Sequence, residues 1–107
     1  MADFHLKAGD LLPSITAALR DASNNPVNLT GATVTFRMRR RNATTNVVEA
    51  AASVVSAVNG TVRYDWQAGE TDDHGLYEAE FVADLPSGRE TFPNDRFISV
   101  KIHTTLA

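Results

Sequence analysis

Apolar and polar residues alternate one by one over much of this 107-residue chain, the period of a strand with one buried and one wetted face. Tyr77, Ala79 and Phe81 share one side of such a run and Glu78 and Glu80 the other, in water. In 32–40, Val34, Phe36 and Met38 face inward while Thr33, Thr35, Arg37 and Arg39 face out. Val62, Tyr64 and Trp66 alternate with Arg63 and Asp65 in 61–66, and Trp66 is the expected centre of the core. In 96–103, Ile98, Val100 and Ile102 alternate with Ser99, Lys101 and His103, and this last strand is expected to pair with the one holding Tyr77. Shorter patterns cover 3–7, with Phe4 and Leu6 inward, and 13–20, with Ile15, Ala17 and Leu19 inward. Spacing alone also admits a short helix over 11–20, and the surrounding strands decide against it. The run 47–58 mixes alanine with valine, so propensity does not settle it. It reads as two short strands or one bent strand, because Asn59-Gly60 follows as a type I′ hairpin signal.

Turn chemistry punctuates these runs. Asp21-Ala22-Ser23-Asn24-Asn25-Pro26 predicts a reversal, and Leu85-Pro86-Ser87-Gly88 a hairpin. Pro93-Asn94-Asp95 interrupts the final return and suggests a bulge or an edge. Residues 104–107 form a tail expected to be ordered only when something binds it. Asp73-His74-Gly75-Leu76-Tyr77 has the Asp-x-Gly-x-Tyr pattern of a tyrosine corner, in which glycine permits the tight backbone and the phenol returns to a main-chain group upstream. Asp73, Gly75 and Tyr77 are thus a structural corner, and Phe36, Trp66 and Phe81 the core anchors. The expected fold is all-β, an immunoglobulin-like antiparallel β-sandwich of about 7–9 strands. There is no cysteine, so the sandwich has no disulfide.

Composition narrows the function. With 43% hydrophobic residues, 1–107 suits a single domain that removes roughly two thirds of its unfolded surface from water. Ten Lys+Arg against thirteen Asp+Glu leave a net charge of −3, the wrong sign for a general nucleic-acid binder. No segment resembles a secretory signal or approaches the ~18 apolar residues of a membrane span. The only basic cluster is Arg37, Arg39, Arg40 and Arg41. Its ordinary reading is a solvated strand end that deters edge pairing; the sharper one is a docking patch for an acidic surface, which arginine grips bidentately. No Arg or Lys lies between Tyr64 and Gly88, while seven acids do, a lopsidedness that suggests head-to-tail association of identical copies.

Catalytic patterns are missing: there is no nucleophile elbow, phosphate loop, HExxH or dinucleotide fingerprint. His5, His74 and His103 lie far apart, each with an exposed-position explanation. A hydrolase built on His74 with Asp72 or Asp73 has no nucleophile with a placed base. Glu70, Asp72, Asp73 and His74 lack the ligand spacing of a calcium loop and the donors of a zinc site. No enzyme, cofactor or metal is therefore expected. Tyr64, Trp66, Phe92 and Phe97 leave a carbohydrate platform as the competing reading, which requires them to be exposed.

The order of signals resembles the immunoglobulin-like N-terminal domain family of the tailed-bacteriophage baseplate upper protein. The resemblance rests on Lys7-Ala8-Gly9-Asp10-Leu11-Leu12-Pro13, on Asn25 through Met38 with its Leu-Thr-Gly-Ala-Thr-Val block, on Asn59-Gly60-Thr61-Val62-Arg63-Tyr64-Asp65-Trp66, on Asp73 through Phe81, and on Phe92-Pro93-Asn94. It implies a non-enzymatic structural protein of the virion, assembled in the bacterial cytoplasm and docked on other phage structural proteins in many symmetric copies. A tail or baseplate position, capsid decoration and a head–tail junction all use that physical job.

Overall fold

The computed structural model describes residues 3–93 and 97–106. Among them lie nine strands: β1 (Asp3–Lys7), β2 (Ile15–Ala18), β3 (Thr33–Arg40), β4 (Asn46–Ala51), β5 (Ser53–Ser56), β6 (Thr61–Tyr64), β7 (Gly75–Leu85), β8 (Gly88–Phe92) and β9 (Ile98–His103). They form a two-sheet β-sandwich, as the alternation predicts. The larger sheet runs β1-β9-β7-β3-β4 with β8 also on β7, and the smaller runs β2-β6-β5. The long β7 organises the larger sheet. It pairs along one side with β3, from Thr33↔Asp84 to Arg40↔Tyr77. Its other side is divided between β9, opposite Gly75 to Ala79, and β8, opposite Phe81 to Leu85. Every strand pair is antiparallel except β1 with β9, where Phe4 lies opposite Val100. Alternation says which face is buried and not which neighbour a strand takes, so this parallel pair has no signal in the sequence.

The ambiguous run 47–58 is one chain path shared by both sheets. Only Ala52 separates β4 from β5, and its N–H donates to the Val34 carbonyl at 2.8 Å as the chain leaves one sheet for the other. The loop that follows differs from the type I′ turn expected at Asn59-Gly60. Gly60 alone of the two has positive φ (67°), and its N–H reaches back to Ala57 O at 3.3 Å. Type I′ needs both central residues at positive φ. The glycine serves close approach instead: a Cβ there would stand 2.7 Å from Leu19 O and 2.8 Å from Val27 O. At 21–26 the reversal forms as turn chemistry predicts, with the Asp21 carboxylate accepting from the N–H groups of Ser23 and Asn25. The interruption expected at Asn94-Asp95 and the strand start at Arg96 fall outside the described residues.

Phe36 and Phe81 are fully buried and Trp66 nearly so. Phe36 and Trp66 each meet three other rings, Trp66 those of Phe4, Phe36 and Tyr64. Phe36 stacks on Tyr64 at 4.6 Å between ring centroids, meets Trp66 edge-on at 5.6 Å and contacts Phe81 at 5.1 Å. Trp66 lies past the end of β6, where its indole N–H donates to Pro13 O at 3.2 Å. A buried indole needs an acceptor, and the margin of the core supplies one.

Candidate docking surfaces

The corner after the acidic loop is built around Tyr77, whose hydroxyl donates to Asp73 O at 2.7 Å. Burial pushes its phenol pKa up, against the opposing charge of Arg40. Arg40, the last residue of β3, lays its guanidinium 5.0 Å from the centroid of the Tyr77 ring and donates to His74 O at 3.1 Å. Gly75, at φ 147°, leaves the space that this guanidinium fills. The sequence groups Arg40 with an outward patch, and the structure has it holding the corner. Only the long-range register Arg40↔Tyr77 reveals this.

Its neighbours on β3 are also engaged. Arg37 Nε lies 3.5 Å from Glu49 on β4 and its Nη1 3.6 Å from Glu80 on β7. Arg39 Nε lies 3.4 Å from Glu78, and the guanidinium carbon stands 5.1 Å from the centroid of the Phe97 ring. Glu78 and Glu80, expected in open water, are half-buried beneath these arginines. Arg41 is exposed in the turn after β3, its backbone N–H bonded to Leu76 O at 3.0 Å. The basic cluster and part of the acidic run thus meet within one molecule. For Arg37 and Arg39, the charge separation that motivates head-to-tail attraction is closed by strand pairing. Such partly exposed pairs are worth about 0–1 kcal/mol each, so they define a face more than they hold it.

At the opposite side of the same sheet, parallel pairing brings His5 and Lys7 beside Lys101 and His103. His5 Nδ1 lies 2.9 Å from His103 Nε2, with the rings stacked at 5.2 Å. One imidazole must donate and the other accept, so the contact holds one proton. Partial burial lowers the His103 pKa, and the charges of Lys101, His5 and Lys7 lower it further. Among the described residues, none of the four makes an ion pair. The outer face therefore grades from paired charges on β3 and β7 to unpaired basic groups on β1 and β9. In the sequence these histidines stand 98 positions apart, and the parallel β1–β9 pairing brings them together.

The acidic loop turns one carboxylate inward. Glu70 accepts from the Tyr64 hydroxyl at 2.7 and 2.8 Å and from Gln67 N–H at 2.8 Å. Burial first, and then Glu70, push the Tyr64 phenol pKa far up. Among the described residues no three His, Asp or Glu side chains gather where they would hold a metal. Of the four aromatics proposed as a sugar platform, Tyr64, Trp66 and Phe92 are buried, and Phe97, 38% exposed, lies under Arg39. A groove of about 430 Å³ lies along β2, with Phe4, Phe81, Phe92 and Ile98 across from it.

No family model matches this chain, and no curated protein matches it by sequence. Among solved structures it is similar to the N-terminal domain of phage TP901-1 ORF48, with a TM-score of 0.64 and 17% identity. The alignment covers 95% of this chain and 85% of that one. At such identity the likeness is one of fold, and it extends over the whole sandwich.

Proposed function

We propose that this chain is a non-enzymatic structural protein of a tailed bacteriophage virion that docks on other virion proteins in multiple symmetric copies. The observation that carries the reading is the whole-domain likeness to a phage protein's N-terminal domain, reached independently of the sequence blocks that resemble the baseplate upper protein family. Fold alone does not assign function, and the surface supplies the second support. Many of its polar groups are engaged within the molecule, at the corner, in the loop and on the ion-paired face. What it offers to partners is strand edges, a charged sheet face and a groove. Tail or baseplate attachment is the position favoured by the family resemblance, with capsid decoration and the head–tail junction as the other places for such a domain.

Mass spectrometry of gradient-purified particles of the parent phage tests the reading. The expected result is this chain at a stoichiometry that matches a symmetric ring or lattice. Its absence from intact particles, together with abundance in the infected lysate, would overturn it.

A further inference from the structure

Most of the arginines are engaged from within the molecule, and the cationic side chains that are not gather at one place. Among the described residues Arg37, Arg39, Arg63 and Arg89 lie against carboxylates, while Arg20 and Arg40 donate to backbone carbonyls. Lys7, Arg41 and Lys101 have no such partner among those residues, and they include both lysines of the chain.

Strand register sets the three side by side. His5 on β1 lies opposite Lys101 on β9, Lys101 lies opposite Leu76 on β7, and Arg41, just past β3, continues the row through its N–H bond to Leu76 O. Residues opposite one another in a ladder share a face, and the burial of Leu6, Val100 and Ile102 on the other face turns this row outward. Two residues along, Lys7 lies opposite His103, whose ring stacks on that of His5. Leu76, 44% exposed, sits between Lys101 and Arg41. The row crosses four strand positions, a span of about 14 Å. In a chain of net charge −3, this is a local cationic corner around one exposed leucine. Exposed lysines are ordinary one at a time; the clustering carries the inference, because each charge adds to the repulsion that the others feel. The lowered proton affinity of His103, set by burial first and then by Lys101, His5 and Lys7, expresses that repulsion at one ring.

We propose that this corner docks an acidic segment of another protein, with carboxylates against Lys7, Lys101 and Arg41 and an apolar side chain between them on Leu76. Charge complementarity chooses the partner, and the surroundings choose a short segment over a long polyanion. Asp3 and Glu78 flank Ser99 in the next row of the same face. Asp10, Asp72 and Asp73 are exposed in the loops at the end of the sheet where β1 stops and β7 begins. A nucleic-acid strand running across the corner would meet these carboxylates, whereas a few acidic side chains fit between them. The inference rests on the docking reading above for the partner being a protein, and gives that partner its chemistry.

The histidines tie the contact to pH. Around the pair stand Asp3 and Lys7 from β1, Lys101 from β9 and, across that lysine, Leu76 of β7, with His74 just before the residue opposite Ile102. A carboxylate beside the two rings favours their second proton, so docking takes up a proton and tightens as pH falls toward about pH 6.

Heteronuclear NMR titration of the intact chain with a blocked glutamate hexapeptide carrying one central leucine tests the proposal. Saturable shifts are expected at His5, Lys7, Arg41, Leu76, Lys101 and His103. The Lys7→Gln, Lys101→Gln double variant is expected to weaken binding by about fivefold, since each exposed charge contact is worth a few-fold at most, while Arg63→Gln on the smaller sheet binds as the wild type does. The spectrum of each variant shows whether it folds, and Lys101→Gln alone serves if the double variant does not. Between about pH 7.5 and about pH 6 binding should tighten several-fold, and His103→Gln should flatten that dependence. No saturable shift with the wild type, shifts centred elsewhere, or a double variant that binds as well as the wild type would each overturn the proposal. So would equal binding of inorganic phosphate, which would make the corner a simple anion site, or tighter binding of oligothymidylate at the same residues, which would give it to nucleic acid. Peptide binding in solution and presence in the particle are separate measurements, so failure here is distinguishable from failure of the virion reading.

Discussion

The guanidinium of Arg40 stands where a side chain on Gly75 would have to go, with Nη1 only 2.5 Å from the position of a Cβ. Two separate demands meet at this glycine. Its φ of 147° is one that L side chains rarely adopt, and its missing side chain lets Arg40 lie on Tyr77.

Gly75→Ala is accordingly expected to destabilise the fold by about 1–3 kcal/mol in urea unfolding, the usual range for a strained backbone position. Arg40→Ala alone should cost less, because the side chain is exposed and acts through one carbonyl and one ring. The double variant should recover the part of the Gly75→Ala loss that comes from the clash and leave the part due to φ. Strict additivity would mean that the two residues do not compete for the space.

Tyr77→Phe isolates the corner hydrogen bond. The ring stays buried and the Asp73 carbonyl loses its donor at 2.7 Å, so about 0.5–1.5 kcal/mol should be lost. The same variant should leave the salt dependence of stability unchanged, because the corner bond is between neutral groups. A loss well inside the ~0.5 kcal/mol of an ordinary surface substitution would mean that water replaces the phenol there.

In the core, Phe36→Ala should cost about 3–5 kcal/mol and exceed Trp66→Phe, because Phe36 is fully buried and touches Tyr64, Trp66 and Phe81. Trp66→Phe keeps most of the apolar area and forfeits the bond to Pro13 O, for about 1 kcal/mol. As the single tryptophan, Trp66 also reports the transition by its own fluorescence in every other variant. The order reverses if Trp66 is the true keystone of the cluster.

How much of this was legible beforehand follows from what each signal encodes. Period-two alternation carries the inward set of β3, β6, β7 and β9, since facing is a local property of a strand. Asp73-x-Gly75-x-Tyr77 carries the corner, because its bond closes over four positions. Strand neighbours are not local, so the parallel β1–β9 pair, the meeting of His5 with His103, and the ion pairs from Arg37 and Arg39 to Glu80 and Glu78 left no trace. For the same reason the sequence separates the arginine cluster from Glu78 and Glu80, which the side-by-side β3 and β7 bring together. Asn59-Gly60 misled in a different way. The dipeptide predicts a turn type, while the packing of Gly60 against two carbonyls decides the loop.

The histidine pair makes stability depend on pH in the window just below neutrality. His103 faces His5 and Lys7 from β1 and carries Lys101 on its own strand, with Leu76 of β7 opposite that lysine. Its folded pKa lies below its ordinary 6.5, through burial first and these neighbouring charges second. The unfolded chain therefore binds the proton more readily than the folded one. Stability from neutral His103 is fully present above the unfolded pKa and is lost as pH falls through the folded value. A second proton on the pair also removes the shared hydrogen bond, since two imidazolium rings are both donors. The melting temperature is thus expected to fall between pH 7 and pH 5, before most carboxylates titrate. His103→Gln should flatten that slope. NMR titration of the imidazole resonances gives the sign directly. A His103 that titrates above a free histidine would reverse the expected slope.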